Sequence, residues 1–429
     1  MPDVPWLDSV PVGILPPKRA LRVYVLTPGF PPTVGGQEKH LLELCDSLTS
    51  AGAAVRVLTR RVDPSFPAEE TLGGVPVLRL TPFGEIKGVG FRAVPRLGFL
   101  LCKMTWRLLR DARRYDVVLV SGFNFMPLTA ILTGLVTRKP CVVRPESPLE
   151  VTEPIGIDSR RKMRLSETSL PIRLIGALRR RAARGVDRYV AISSEIRAGL
   201  ERVGVDAGRI VAIPNGIAVG RFEPVSAARK TQLRAALGLP AEALLLIYTG
   251  RLAITKGVMM LIDVWAELAP AHGAAHLLVV GAGRGSFDDC EPALRDFIRA
   301  RDLASCVTLT GSVTNVSEYL QASDVFVFPS DYEGFSLSIL EAMSVGLPLV
   351  STRVGIAAEL AQKAPFGILV PPQDRTAFRD ALRRLLSDPP LRAAMGLSAR
   401  EAVHEQYSLG AEARRYIELF SELTEAAAN

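Results

Sequence analysis

The chain is poor in cysteine and aromatics, and it has no long apolar run. Its 429 residues include five cysteines, Cys45, Cys102, Cys141, Cys290 and Cys306, scattered and never spaced as CxxC. That pattern supplies neither a disulfide framework nor a zinc site, and a reducing cytosol is the expected compartment. The longest apolar candidate, Phe125 to Val136, falls short of the roughly 18 residues that span a bilayer and reads as a buried helix. The opening MPDVPWLDSVPVGILPP lacks a basic stretch followed by an apolar one, so no export leader is expected. No GxGxxG is present, which argues against a dinucleotide fingerprint. No DxD follows a strand either; Asp288-Asp289 is merely adjacent, so no obligatory metal for a diphosphate is expected.

What is present suits an α/β enzyme. Hydrophobic residues are 48% and charged residues 22%, ordinary for a globular chain, and the length fits two domains of about 200 residues each. Charge is unevenly shared. The first 215 residues carry 32 Lys and Arg against 20 Asp and Glu; the remainder carries 20 against 24. The excess concentrates at 92–114 and 160–184, where Arg alternates with Leu, Ile, Phe, Met and Trp at near-helical spacing. Two such segments in one domain suggest contact with an anionic membrane surface. Neither contains a nucleic-acid reader motif, so no nucleic-acid partner is expected.

Short aliphatic runs alternate with longer helical patterns, which indicates βαβ units and parallel sheets. The first series of expected strands is Leu21 to Thr27, Ala54 to Thr59, Val75 to Leu80, Val117 to Ser121, Cys141 to Arg144, Asp187 to Ile192 and Ile210 to Ile213. A second series is Leu244 to Thr249, His276 to Val280, Val307 to Thr310, Val325 to Phe328, Leu349 to Thr352 and Gly367 to Val370. Between them lies Ile213-Pro214-Asn215-Gly216-Ile217, whose Pro and Asn-Gly are turn signals. The expectation is two Rossmann-like, doubly wound domains, 1–213 and 214–409, facing each other across a cleft, with a final helix at 410–426. Ligands would bind at the carboxyl ends of the strands.

The motifs fall where that rule puts them. Gly35-Gly36 stands after the first strand and before a helix, a position that lets a backbone approach a ligand and exposes N–H groups to an anion. Arg251 and Lys256, in TGRLAITKG, occupy the first strand-to-helix loop of the second domain, where both cations suit a phosphate or diphosphate. Gly281, in VVGAGRG, follows the next strand and reads as a tight turn allowing close packing against a ligand. In EGFSLSILEAMSVGLP, Glu333 sits at a loop tip, Ser336 is the expected N-cap of a helix from Leu337 to Val345, and Glu341 lies in its second turn. A helix start between two carboxylates can hold phosphate and hydroxyls together, the needs of a sugar nucleotide.

The order of these motifs resembles the retaining family-4 glycosyltransferases, a group-1 family of the GT-B fold. Its hallmark is EX7E, here Glu333 and Glu341, and the resemblance covers nearly the whole chain, from PPTVGGQEKH through AIPNGI to GIAAEL. The resemblance implies that Glu341 holds ribose hydroxyls and Glu333 holds hydroxyls of the donor sugar. Backbone N–H groups of Gly334, Phe335, Ser336 and Leu337 would contact diphosphate and sugar. Arg251 and Lys256 would balance charge on the leaving diphosphate, and Gly36 would approach it from the first domain, which generally holds the acceptor. It further implies a UDP- or GDP-sugar donor, no cofactor or metal, a glycan or lipid-linked acceptor, and a cytoplasmic enzyme peripheral to the inner face of the membrane.

One feature departs from the family. Members often carry a histidine in a pattern like HVHGF, where this chain reads DVVLVSGFNF, with Ser121 and Asn124 on the expected acceptor side. Two other classes stay open on the sequence. Epimerases and glycan phosphorylases share the twin-domain architecture, and the missing histidine would also suit a non-catalytic nucleotide-sugar-binding subunit. Incubation with donor alone separates the epimerase.

Overall fold

The computed structural model describes residues 20–428, apart from 34, 82–93, 124, 154–168, 171–172, 174–175, 178–180, 182, 284–287 and 404–405. Most of the basic segment 160–184, and Asn124, therefore lie outside the described residues. The chain forms two compact units, Met1–Gly216 with Leu409–Asn429, and Ile217–Ser408.

The first unit runs β1 (Arg22–Thr27), α1 (Gly36–Ser50), β2 (Ala54–Arg60), β3 (Glu69–Leu72), β4 (Val75–Leu80), α2 (Val94–Arg110), β5 (Val117–Ser121), α3 (Met126–Thr137), β6 (Cys141–Arg144), α4 (Pro148–Thr152), β7 (Arg188–Ala191), α5 (Ser194–Arg202) and β8 (Ile210–Ala212). Its sheet is ordered β3-β4-β2-β1-β5-β6-β7-β8, parallel except for β3 against β4. Every residue of β5 and β6 is buried, as expected of central parallel strands covered on both faces. The second unit runs α6 (Ala227–Ala236), β9 (Leu244–Thr249), α7 (Val258–Leu268), β10 (Ala275–Val280), α8 (Glu291–Ala300), β11 (Val307–Gly311), α9 (Val316–Ala322), β12 (Val325–Phe328), α10 (Leu337–Val345), β13 (Leu349–Thr352), α11 (Gly355–Leu360), β14 (Gly367–Val370), α12 (Arg375–Ser387) and α13 (Pro389–Val403). Its sheet is wholly parallel, ordered β11-β10-β9-β12-β13-β14. The last helix, α14 (Leu409–Ala428), belongs to the first unit and packs on α1.

Two sequence expectations are corrected. Strand β3 was not anticipated, because EETL is short and polar. It forms since Gly73 (φ 55°) and Gly74 (φ 84°) both take the left-handed backbone that a two-residue hairpin requires. The segment Phe125 to Val136, expected to be a buried helix, is a helix with one open face: Leu128, Leu132, Leu135 and Val136 are all exposed, the last two at 76% and 72%. Its opposite face, with Met126, Ala130 and Thr133, makes the internal contacts. Among the described residues, no helix is long and apolar enough to cross a membrane.

Helix α14 is fastened by buried polar groups as well as by its apolar face. Glu412 Oε2 accepts from Gly216 N–H (2.7 Å) and lies 3.0 Å from His40 Nε2, and neither acid nor ring is exposed. Arg144 Nη2 reaches His40 Nδ1 (3.1 Å) and Asn215 Oδ1 (2.7 Å). A guanidinium only donates, so His40 Nδ1 is the acceptor and the ring proton sits on Nε2, donated to Glu412. Burial works against the charge of Arg144, but Glu146, Tyr416, Glu412 and Cys45 outweigh it and raise the pKa. One network thus ties α1, β6, the Asn215-Gly216 turn and α14. Glu412→Ala would leave His40 Nε2–H and Gly216 N–H unpaired in the interior and is expected to cost about 1–3 kcal/mol for each orphaned donor. Chemical denaturation followed by circular dichroism measures it; an unchanged midpoint would show that the network adds nothing.

Candidate functional site

Connections from β9 run to β10 on one side, while β12 flanks β9 on the other, so the strand order of the second sheet reverses between β9 and β12. Loops leaving their carboxyl ends flank the crevice in which open α/β sheets bind ligands. The β9 loop carries Arg251 and Lys256; the β12 loop carries Glu333.

The two loops are pinned together. Ile254–Lys256 form a single helical turn closed by Gly257 at φ 66°. A Cβ on Gly257 would lie 2.0 Å from the Pro329 carbonyl oxygen, so only glycine allows the approach. Asp331 N–H donates to Thr255 O at 2.9 Å, and the Ser330 hydroxyl donates to the same oxygen at 3.3 Å. Within this frame Lys256 Nζ donates to Glu333 Oε1 at 2.6 Å, with both side chains largely buried. Arg251, on the same loop, pairs with Asp288 at 2.9 Å and keeps 41% of its side chain exposed. The Tyr248 hydroxyl donates to Arg251 O at 2.9 Å. Burial, with the Glu333 charge adding to it, pushes that phenol well above its ordinary pKa and keeps it a neutral donor.

Ser336 precedes α10 as expected but does not cap it. Its backbone is left-handed (φ 80°, ψ 82°), whereas a capping side chain needs the extended region, and no side-chain cap bond forms. Its Oγ is buried and has no hydrogen-bond partner among the described residues. That buried hydroxyl and the unpaired N–H groups of the first turn of α10 form one polar surface suited to an anion. Phe335 is buried, and its carbonyl accepts from Ile356 N–H at 2.8 Å. Behind it, Gly355 (φ 52°) would place a Cβ 2.6 Å from the Phe335 oxygen. Gly334 lies in the loop, Leu337 opens α10, and Glu341 is half-buried in its second turn. Gly281 has an internal reason to be glycine: a Cβ there would stand 1.8 Å from Gly250 O, where the ends of β9 and β10 meet.

The remaining sequence candidates belong to the first unit, whose sheet reverses between β1 and β5. Gly35 precedes α1 with extended backbone; a Cβ on Gly36 would meet nothing within 4 Å, so the start of α1 is open there. Ser121 ends β5, and its hydroxyl donates to Glu146 Oε1. Sequence reasoning missed Glu146, which carries no motif, and missed that Asp288, dismissed as half of a non-DxD pair, is the partner of Arg251. Among the described residues no group of three or more His, Cys, Asp or Glu side chains could hold a metal ion.

Two parallel-sheet α/β domains of this topology form the GT-B fold. Sucrose-phosphate synthase from Thermosynechococcus elongatus superposes over 95% of this chain and all of its own, with a TM-score of 0.77 at 24% identity. Anabaena Alr3699/HepE in complex with UDP-glucose superposes over 94% of this chain and all of its own, at 0.74 and 20%. The chain belongs to the group 1, family 4 glycosyltransferases. Residues 34–221 match the profile described as Glycosyltransferase Family 4, and 243–388 the one described as Glycosyl transferases group 1. A D-inositol 3-phosphate glycosyltransferase of Kineococcus radiotolerans is 29% identical over 410 residues, 90% of either chain.

Gly257→Ala should separate the two loops, at a cost of roughly 1–2 kcal/mol for the left-handed backbone alone, before the clash with Pro329. The expected result is a lower melting temperature and weaker nucleotide binding. Unaltered melting and binding would show that the contact is dispensable.

Proposed function

We propose that the β9/β12 crevice binds a UDP- or GDP-sugar and that the enzyme transfers its hexosyl unit to an acceptor hydroxyl with retention of configuration. The observation that carries this is the Lys256–Glu333 pair beside the open start of α10, where the Ser336 hydroxyl lacks a partner. Cations suited to phosphate and a hydroxyl-accepting carboxylate stand on the loops that follow β9 and β12, the latter leading into a helix start. In this reading the diphosphate takes over Lys256 from Glu333 and engages Arg251, the N–H groups of Gly334 to Leu337, and Ser336. Glu333, released from Lys256, accepts from sugar hydroxyls, and Glu341 accepts from the ribose. The bond from C1 to the phosphate oxygen breaks while the acceptor oxygen bonds to C1 on the same face, and the acceptor's proton leaves on the departing phosphate. Stabilising that phosphate's growing charge is the main catalytic term, and Arg251 and Lys256 supply it without a metal. The complex of Anabaena HepE with UDP-glucose supports a sugar nucleotide as donor.

Lys256→Ala and Arg251→Ala should each lower turnover by about 100-fold or more, whereas Glu341→Ala should chiefly weaken nucleotide binding. A thermal-shift panel of nucleotide diphosphates and their sugars identifies the donor, since binding raises apparent stability as RT ln(1 + [L]/Kd). Donor kinetics unchanged in all three variants would overturn the site. Donor that changes its sugar without acceptor would indicate an epimerase.

The acceptor side is read as membrane-facing and the acceptor as lipid-linked, with the enzyme peripheral to the inner face of the membrane. Helix α2 exposes Phe99, Trp106 and Leu109, and neighbouring α3 exposes Leu128, Leu132, Leu135 and Val136. Cations stand among them: Lys103 over the Phe99 ring (4.9 Å), Arg110 over Trp106 (5.4 Å), with Arg113, Arg114 and Arg138 exposed. Apolar side chains interleaved with cations suit insertion among anionic headgroups. The chain should co-sediment with phosphatidylglycerol vesicles in a salt-sensitive manner and much less with phosphatidylcholine. The double variant Leu132→Asp, Leu135→Asp should lose binding while remaining folded; equal binding by that variant would sink the assignment.

A further inference from the structure

The carboxyl ends of β5 and β6 carry a side-chain arrangement that the donor site does not use. Ser121 ends β5, and Arg144, its register partner, ends β6. Glu146 follows two residues later. One of its oxygens, Oε1, takes both internal bonds, from the Ser121 hydroxyl and from Arg144 Nη1 at 2.9 Å. Among the described residues Oε2 receives none, although only 7% of the side chain is exposed. Oε2 retains solvent contact just past the carboxyl end of β6.

The position is held from several directions. Glu150 Oε2 accepts from the backbone N–H of both Glu146 and Phe123, at 3.0 Å each, which joins the two loops. Gly122 N–H donates to Arg144 O at 2.8 Å. Arg144 is fixed by His40 and Asn215. A carboxylate is costly to bury without compensation, and here Ser121 and Arg144 compensate Oε1 alone. This one is locked through Oε1 and leaves Oε2 at the edge where ligands of open α/β sheets bind, next to the strand pair at which the sheet reverses.

We propose that Glu146 Oε2 accepts a hydrogen bond from a hydroxyl of the acceptor, in the place where this chain lacks a histidine, with Ser121 and Arg144 as the groups that orient it. It binds and aligns a polyhydroxylic acceptor, a polyol or sugar; the proton of the attacking hydroxyl still leaves with the phosphate. The inference rests on the reading of the chain as a transferase whose first unit holds the acceptor.

The test uses the full chain with the sugar nucleotide of largest thermal shift, and myo-inositol and n-octyl glucoside as acceptor probes. Donor hydrolysis by water is measured alongside transfer. Glu146→Gln should raise the KM for the better probe by about tenfold or more, the worth of a bond to a charged group, with donor KM and hydrolysis within about twofold of wild type. Ser121→Ala, which keeps the carboxylate but removes one of its fixings, should give a smaller rise of the same kind. Wild-type transfer with acceptor KM unchanged in both variants would overturn this inference alone, as would equal losses of hydrolysis and transfer with a lowered melting temperature, which mark a purely structural role. A wild-type chain that neither hydrolyses nor transfers any donor would overturn the transferase reading beneath it.

Discussion

Two neighbouring parallel strands whose connections leave in opposite directions cannot have the space above their carboxyl ends filled by either connection, and each sheet of this protein contains one such pair. In the second unit the pair is β9 and β12; in the first it is β1 and β5. The candidate site groups sit at the ends of those strands and their immediate neighbours or on the loops and helices that follow them. Apolar strands and helices below supply a rigid base. The crevices follow from chain topology, and the side chains beside them give each its chemistry.

Electrostatics distinguishes the two crevices. In the second unit cations meet carboxylates in direct pairs after the strands: Lys256 with Glu333, and Arg251 with Asp288. In the proposed reading an anionic donor competes with Glu333 for the Lys256 ammonium, so donor binding would release an acid at the moment hydroxyls arrive to use it. In the first unit the charges are buried deeper. Arg144 is shared among Glu146, His40 and Asn215, and Glu412 closes the network from α14. Low-dielectric surroundings make such a set costly unless each member is held, which makes the geometry at the end of β6 rigid.

The strands were largely legible in the sequence. Val117–Ser121, Cys141–Arg144, Leu244–Thr249, Val325–Phe328 and Leu349–Thr352 form as their aliphatic runs suggest, because a strand covered on both faces must be apolar throughout; Val75–Leu80 and Gly367–Val370 also form, with partly open faces. Strand β3 was not, since an edge strand has no such need; only its Gly73-Gly74 turn announced it. Helix α3 misled for the opposite reason. An all-apolar helix suits a protein interior and a lipid surface equally, and composition does not record which face the neighbouring elements leave uncovered.

The site was legible in part for the same kind of reason. Residue type and position after a strand mark Arg251, Lys256, Glu333 and Glu341 as candidates, because a phosphate calls for cations and glycosyl hydroxyls call for carboxylates. The sequence by itself determined the βαβ alternation, the placement of those residues after strands, and the family to which their order belongs. Tertiary structure alone decided that Lys256 meets Glu333, that Ser336 turns left-handed and leaves its hydroxyl unpartnered, and that Ser121 and Arg144 converge on Glu146 across 25 residues of chain. Such contacts depend on strand register and on which loops face each other, and these are fixed by packing between segments distant in the chain.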